Sequence, residues 1–192
     1  MSHEEYSKWN RRWASRNYLI DIEPRVTLSE WIETIPAGRV LDIACGDGRN
    51  SLYLAQNGFV VDAIDISIAA LKLVQRGAMD RGTHVNLILA DLDNYVVPQA
   101  TYDLITCSFY LNRELIPSIK NGVKPGGFVI YEQHYVPYGA GLDDGNIGFK
   151  LRAGELPDLF QDMEIKFFSE GNLQELDDEA SIARLDARSP TS

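Results

Sequence analysis

Val40-Leu41-Asp42-Ile43-Ala44-Cys45-Gly46-Asp47-Gly48-Arg49-Asn50-Ser51 decides the fold. The run Val40–Ala44 is apolar except for Asp42, as a buried parallel strand requires. Two glycines then flank Asp47, and a helical pattern begins with Leu52, Leu54 and Ala55. A strand, a Gly-x-Gly turn and a helix start make a nucleotide site for a physical reason. Glycine permits a sharp turn and leaves no Cβ between main chain and ligand. The helix start adds free N–H groups and the positive end of a dipole. The turn alone is a weak signal. Asp42 inside the strand and a second acid, Asp65, near the end of the next strand strengthen it.

Outward from this stretch, strands and helices alternate. Residues 25–35 read as a helix with Val26, Leu28, Trp31, Ile32 and Ile35 as its apolar set, stopped by Pro36-Ala37-Gly38. The helix after the glycine turn spans about 50–57 and ends at Asn57-Gly58. A second strand covers 59–64, closed by Asp65; a helix covers 67–80; a third strand covers 85–90, closed by Asp91. A fourth strand spans 102–107, a short helix 111–121, a turn Lys124–Gly127, and a fifth strand 128–132. A glycine-bearing loop over 136–149, a helix over 153–161 and strands near 163–169 and 180–187 complete the pattern. This is one α/β domain, Rossmann-like and doubly wound. Its sheet is mostly parallel, with right-handed crossovers and an antiparallel edge hairpin.

Composition narrows the partners. The chain has 192 residues, 45% hydrophobic and 24% charged, enough for one substantial core. Its formal net charge is −10, and the segment 141–192 supplies −7 of it, with 12 acids against 5 bases. An acidic chain without a basic stripe is a poor match to a phosphate backbone, so no nucleic-acid partner is expected. No apolar run approaches the ~20 residues of a membrane span, and Met1–Glu5 carries no secretion signal. Cys45 and Cys107 lie in apolar runs outside any Cys-x-x-Cys pair and read as reduced, partly buried thiols. A cytoplasmic protein, monomer or homodimer, is the expectation.

In such a sheet, ligands lie over the carboxyl ends of the strands, where the strand order reverses. The polar residues at those ends are Asp42, Cys45–Gly48, Asp65, Asp91, Ser108 and His134. Asp65 lies 19 positions after Gly46, a spacing at which an acid accepts both ribose hydroxyls; the competing reading is an acid beside the N-cap of the helix that begins at Ser67. Asp91 can accept the amine of an adenine, with the Leu92 N–H reaching a ring nitrogen. Asp42 needs a partner, since an unpaired buried carboxylate is costly; a ligand ammonium or the N–H groups of the glycine turn would serve.

At this point the chain resembles the class I S-adenosylmethionine-dependent methyltransferases. Val40–Asn50 looks like their first motif, Asp62–Ser67 the second, Ala90–Asp93 the third, and Tyr102–Ile105 the fourth. Val123–Gly127 is similar to the family's turn before the fifth strand. The Gly-Arg-Asn form of the first motif and the N-terminal Tyr-x-x-Trp are most similar to tellurite-resistance-like small-molecule methyltransferases. The resemblance implies a seven-stranded sheet whose last strand is antiparallel, with S-adenosyl-L-methionine as cofactor and a small-molecule methyl acceptor. It assigns Ala44, Cys45, Gly46, Gly48, Arg49 and Asn50 to the methionine side, Asp65, Ile66 and Ser67 to the ribose and adenine, Asp91 and Leu92 to the adenine edge, and main chain near Cys107 and Ser108 to the methionyl side.

The acceptor side is read from the residues alone. His134, at the end of the fifth strand, is the best base candidate if the acceptor must lose a proton. Its alternative is a satisfied strand-end histidine. Tyr6, Trp9 and Trp13 share one helical face and either cover the crevice or pack as a terminal helix. Phe109 and Tyr135 flank the same mouth. The N-terminal segment 1–35 is thus a helical cap, 38–135 the cofactor-binding core, and 136–192 a lid loop with the terminal hairpin. No His, Cys and acid cluster has metal-ligand spacing. A nicotinamide-dependent oxidoreductase fits less well, because Ser51 stands at its third glycine position and Asp42 has no role in it. A non-catalytic cofactor-binding protein of the same fold is the third reading.

Overall fold

The structure is a computed structural model, and it describes residues 3–16, 23–139, 147–173 and 180–191. The chain begins with α1 (His3–Ala14) and α2 (Val26–Trp31), the latter extended by a 3-10 turn, Ile32–Thr34. Then β1 (Arg39–Ile43), α3 (Arg49–Gln56), β2 (Val60–Asp65), α4 (Ile68–Asp80), β3 (Asn86–Leu89) and β4 (Tyr102–Ser108) alternate. They are followed by α5 (Ile116–Gly122), β5 (Val123–Val136), β6 (Leu151–Arg152), α6 (Glu155–Leu159), β7 (Glu164–Leu173) and β8 (Ala180–Arg188).

The strand order is β3-β2-β1-β4-β5-β8-β7, with β6 off this path beside β5. β1 to β5 pair in parallel, and β8 pairs antiparallel with both β5 and β7. The order reverses between β1 and β4, which places a crevice over their carboxyl ends. Two apolar clusters cover the two faces of the sheet. One packs Leu41, Ile43, Ile105, Cys107, Val129 and Tyr131 against α5 and α6. The other packs Val40, Val61, Leu104 and Ile130 beneath α2, α3 and α4. Alternate residues of one strand face opposite clusters, so register alone assigns each polar side chain to a face.

Two elements differ from the sequence pattern. The Lys124–Gly127 turn belongs to β5, because Gly127 O and Gly126 N bond the main chain at Ser189 and Pro190 just beyond β8. A bulge opposite Tyr102 and Leu104 absorbs the extra residues. β6 was not expected: two residues carry too short a pattern to register as a strand, and pairing with Tyr135–Val136 creates it. Pro117 falls in the first turn of α5, where its missing N–H costs nothing. Of the glycine-bearing loop, residues 140–146 lie outside the described residues. Among the described residues no helix is long and apolar enough to cross a membrane.

Candidate active site

The glycine turn is tightly wound. Ala44, Gly46 and Gly48 have φ of 53°, 56° and 81°. A left-handed alanine is strained, a feature concentrated at functional sites. Gly48 caps α3 without a side chain, and a Cβ there would meet Val74 Cγ2 at 2.6 Å, so the glycine also lets α3 and α4 close up. Arg49 does not reach out of the turn but folds back on Asp47, at 2.8 Å.

Asp65 ties the turn to the next strand. Its Oδ2 accepts the Gly46 N–H at 3.0 Å and its Oδ1 the Ser67 N–H at 2.8 Å. Burial raises its pKa, opposed by those main-chain donors. The side chain thus makes the helix-start contacts of the competing reading, and each oxygen retains a lone pair for a further donor. Ser67 is fully buried and its hydroxyl accepts the Ala70 N–H at 3.1 Å, so it works as the N-cap of α4. Asp91 is occupied in the same way, by the Asp93 N–H at 3.0 Å and the Asn94 amide at 3.1 Å. Leu92 is buried beside it in the α5-face cluster.

The glycine turn is not the partner of Asp42. The Gly46 N–H goes to Asp65, and the Asp42 carboxyl is bonded by the Ser51 hydroxyl from α3. Burial pushes its pKa up to about 7, with Ser51 opposing and Asp47 and Asp65 adding. A carboxyl raised on folding from ~3.9 binds its proton more tightly in the native state, so its contribution is full below about pH 4 and is lost as pH rises towards 7. Asp42→Asn should therefore gain stability relative to wild type at pH 8 and little at pH 4. Urea midpoints at the two pH values measure this; an equal shift at both would assign Asp42 an ordinary ionised state.

α1 lies on the turn. A Cβ on Gly46 would meet the Trp13 ring at 2.7 Å, so the indole seats directly against this glycine. Asn10 Oδ1 accepts the Ala69 N–H at 3.0 Å and the Ser67 hydroxyl at 3.1 Å, joining α1 to the start of α4. Just beyond α1, Arg16 stacks on Trp13 at 4.7 Å and lies 3.8 Å from Asp47. Trp9 carries Arg12 over its ring at 5.2 Å, and Tyr6 is half-buried like both tryptophans.

Over the ends of β4 and β5, a polar ring joins Asn50, Ser108, Phe109 and His134 to Arg25, Thr27 and Glu132, which the sequence pattern did not single out. Arg25 donates its N–H to Asn50 Oδ1 at 2.9 Å, and Asn50 Nδ2 donates to Ser108 Oγ at 3.2 Å. Ser108 is the register partner of Glu132, which is 3% exposed. Glu132 Oε2 accepts the Thr27 hydroxyl at 3.0 Å, and Oε1 lies 3.4 Å from Arg25 Nε. The Arg25 guanidinium stacks on Phe109 at 4.5 Å, and Phe109 packs on His134 at 4.8 Å. Phe109 holds φ at 58°, another left-handed non-glycine at the crevice. Burial, Lys150 and Arg25 lower the His134 pKa, leaving a neutral imidazole at pH 7. Glu132 carries the signal that marked Asp42, an acid within an apolar strand, but reading the strand as ending there hid it.

Two of the strand-end residues turn their side chains to the α5 face. The Cys107 side chain faces the α5 cluster and bonds Tyr110 O at 3.4 Å; burial pushes its pKa up to about 12, so only its main chain borders the crevice. Tyr135 alternates with His134 along β5 and packs on the α5 face, opposite the ring containing Phe109. Among the described residues there is no His, Cys, Asp and Glu group able to hold a metal ion.

A family of methyltransferase domains matches residues 40–127, the stretch from β1 to the start of β5. A ubiquinone biosynthesis O-methyltransferase from Bordetella avium is 30% identical over 112 residues, covering 53% of this chain and 46% of its own length. A probable S-adenosyl-L-methionine-dependent methyltransferase, TehB of Haemophilus influenzae, is 28% identical over 160 residues, 77% of this chain and 54% of that one. The crystal structure of the Haemophilus protein superposes with a TM-score of 0.75 at 22% identity, covering 94% of this chain and 67% of the other. The [4+2]-cyclase SpnF superposes with a TM-score of 0.72 at 17% identity, covering 88% and 81%. The fold is that of the class I methyltransferases. Residues 40–127 match the methyltransferase-domain family, and the chain is related in sequence to S-adenosylmethionine-dependent methyltransferases, TehB among them. It spans about half the length of the curated relatives it matches.

Proposed function

We propose that this chain transfers a methyl group from S-adenosylmethionine to a small-molecule acceptor held over the ends of β4 and β5. The observation that carries this reading is the junction of Asp65 with the glycine turn, which sets a buried carboxylate and two left-handed glycines in one crevice. These residues suit the cofactor chemically. The turn gives close main-chain approach for the methionine part, Asp65 is an acceptor for ribose hydroxyls, Ile66 supplies an apolar surface for the adenine, and Asp91 with Leu92 offers its edge an acceptor and an N–H. The bound cofactor supplies a methyl group already activated by its sulfonium. The protein's task is then alignment and exclusion of water. Phe109 and Trp13 supply apolar cover, and the neutral His134 can accept a proton. α1 acts as a cap on the core. The acidic surface favours a small-molecule partner over nucleic acid, and the protein works in the cytoplasm as a monomer or homodimer.

Titration calorimetry with S-adenosylhomocysteine and with NAD tests the cofactor reading: binding of NAD alone would favour the oxidoreductase. A non-catalytic role, made worth testing by a cyclase of this fold, predicts cofactor binding with no methyl release to thiol, oxyanion or amine acceptors. Asp65→Ala should weaken S-adenosylhomocysteine binding by roughly 1.5–3 kcal/mol, the worth of hydrogen bonds to a charged acceptor. Unchanged affinity in a folded variant would remove Asp65 from the site.

A further inference from the structure

Resting on the methyltransferase reading, we propose that Asn50, Ser108 and Glu132 form a proton relay that deprotonates the acceptor, with Ser108 facing the acceptor and Glu132 as the buried base. The three residues come from α3, β4 and β5 and meet at the floor of the crevice. Asn50 Nδ2 donates to Ser108 Oγ at 3.2 Å, which fixes the oxygen and leaves the hydroxyl proton to point elsewhere. Across the sheet its register partner is Glu132, and the nearby hydroxyl helps hold the Glu132 carboxyl down against burial. Glu132 Oε1 is buried with no hydrogen-bond partner, although Oε2 takes the Thr27 hydroxyl. A buried carboxylate oxygen that pairs with Arg25 at 3.4 Å but takes no hydrogen bond, beside a half-buried serine, is the arrangement that a nucleophile–base pair shows before its substrate tightens it.

The step balances without any further reactant. The bond from acceptor to hydrogen breaks and its electron pair stays on the acceptor atom. That proton bonds to Ser108 Oγ as the serine's own proton passes to Glu132 Oε1. Serine is regenerated and Glu132 becomes neutral. The charged groups around Glu132 are Arg25 on the loop before α2, Arg49 on α3 and Arg184 on β8, and the titratable His134 lies on its own strand. Burial raises the Glu132 carboxyl, so it holds the proton more readily than a surface glutamate. Asn50 is a positioning residue. Its place directly after the glycine turn links the acceptor's base to the cofactor side of the crevice.

The test uses full-length wild type, Ser108→Ala, Ser108→Thr and Glu132→Gln. Catechol and methylamine serve as protic acceptors and dimethyl sulfide as an acceptor with no proton to lose. The relay requires Ser108→Ala and Glu132→Gln to lower kcat for the protic acceptors by about 10²-fold. Turnover of dimethyl sulfide and calorimetric affinity for S-adenosylhomocysteine should stay within about twofold, and Ser108→Thr should restore most of the lost rate. Infrared titration of the protein without cofactor gives an independent readout. The carboxyl band that disappears in Glu132→Gln should titrate at higher pH in Ser108→Ala, because a donor that favours the ionised form has gone. Equal losses for all three acceptors, no loss for any, or an unshifted carboxyl band would overturn the relay. Failure of wild type to bind S-adenosylhomocysteine would instead remove the methyltransferase reading.

Discussion

Gly46→Val should abolish measurable S-adenosylhomocysteine binding and lower the thermal midpoint, while leaving the sheet folded. Two costs combine. Gly46 has φ of 56°, and a left-handed conformation costs an ordinary residue about 1–2 kcal/mol, more for a β-branched one. The new Cβ would also lie 2.7 Å from the Trp13 ring, so the indole must leave its seat. The sequence alone places the clash with the ligand; the structure adds α1 as a second casualty. The Gly46 N–H held by Asp65 would shift with the turn, removing the junction on which the cofactor reading rests. Calorimetry and far-UV circular dichroism on the purified variant check the expectation. Normal affinity in a folded protein would mean that the ligand does not approach this turn.

The legibility of this molecule in its sequence follows the range of the interactions. The glycine turn, Asp42, Asp65 and the alternation through β5 were readable because each depends on periodicity or on a backbone preference within a few residues. The antiparallel edge of the sheet followed from the resemblance and the closing pair of strands, whereas the strand order comes from the structure. What was not readable depends on pairing across the fold. Thr27 meets Glu132 over a separation of 105 residues, and Asn10 meets Ala69 over 59. Nothing in the local pattern of Ser15–Val26 distinguishes Arg25 from Arg16, yet one joins the crevice floor and the other the surface of the glycine turn. Tyr135 was misjudged for the opposite reason. A strand-end position was taken to mean a crevice-facing side chain, whereas the period of two sends Tyr135 to the α5 face and its neighbour His134 to the ring with Phe109.

Removing α1, by deleting residues 1–16, should lower turnover far more than it lowers stability. Three contacts make the difference. Trp13 covers Gly46, Asn10 accepts the Ala69 N–H and the Ser67 hydroxyl at the start of α4, and Arg16 lies by Asp47. All three touch the glycine turn or the start of α4, where the cofactor is proposed to bind. Yet α1 is not part of either apolar cluster, and Tyr6, Trp9 and Trp13 are only half-buried. An element with little buried apolar area opens at low cost, which suits one that must let a ligand in and then exclude water from the methyl group. Loss of a helix cap alone costs about 0.5–2 kcal/mol, which sets the scale of the stability change expected from Asn10. The kinetic loss should be at least tenfold in kcat/KM, because an uncovered turn no longer holds the cofactor in a dry, near-attack geometry. Hydrogen exchange provides the second measurement: amides of residues 6–13 should gain protection when S-adenosylhomocysteine binds. If protection rises only at the glycine turn and the strand ends, and the truncated protein turns over at the wild-type rate, α1 is a packed terminal helix and covers nothing that the reaction needs.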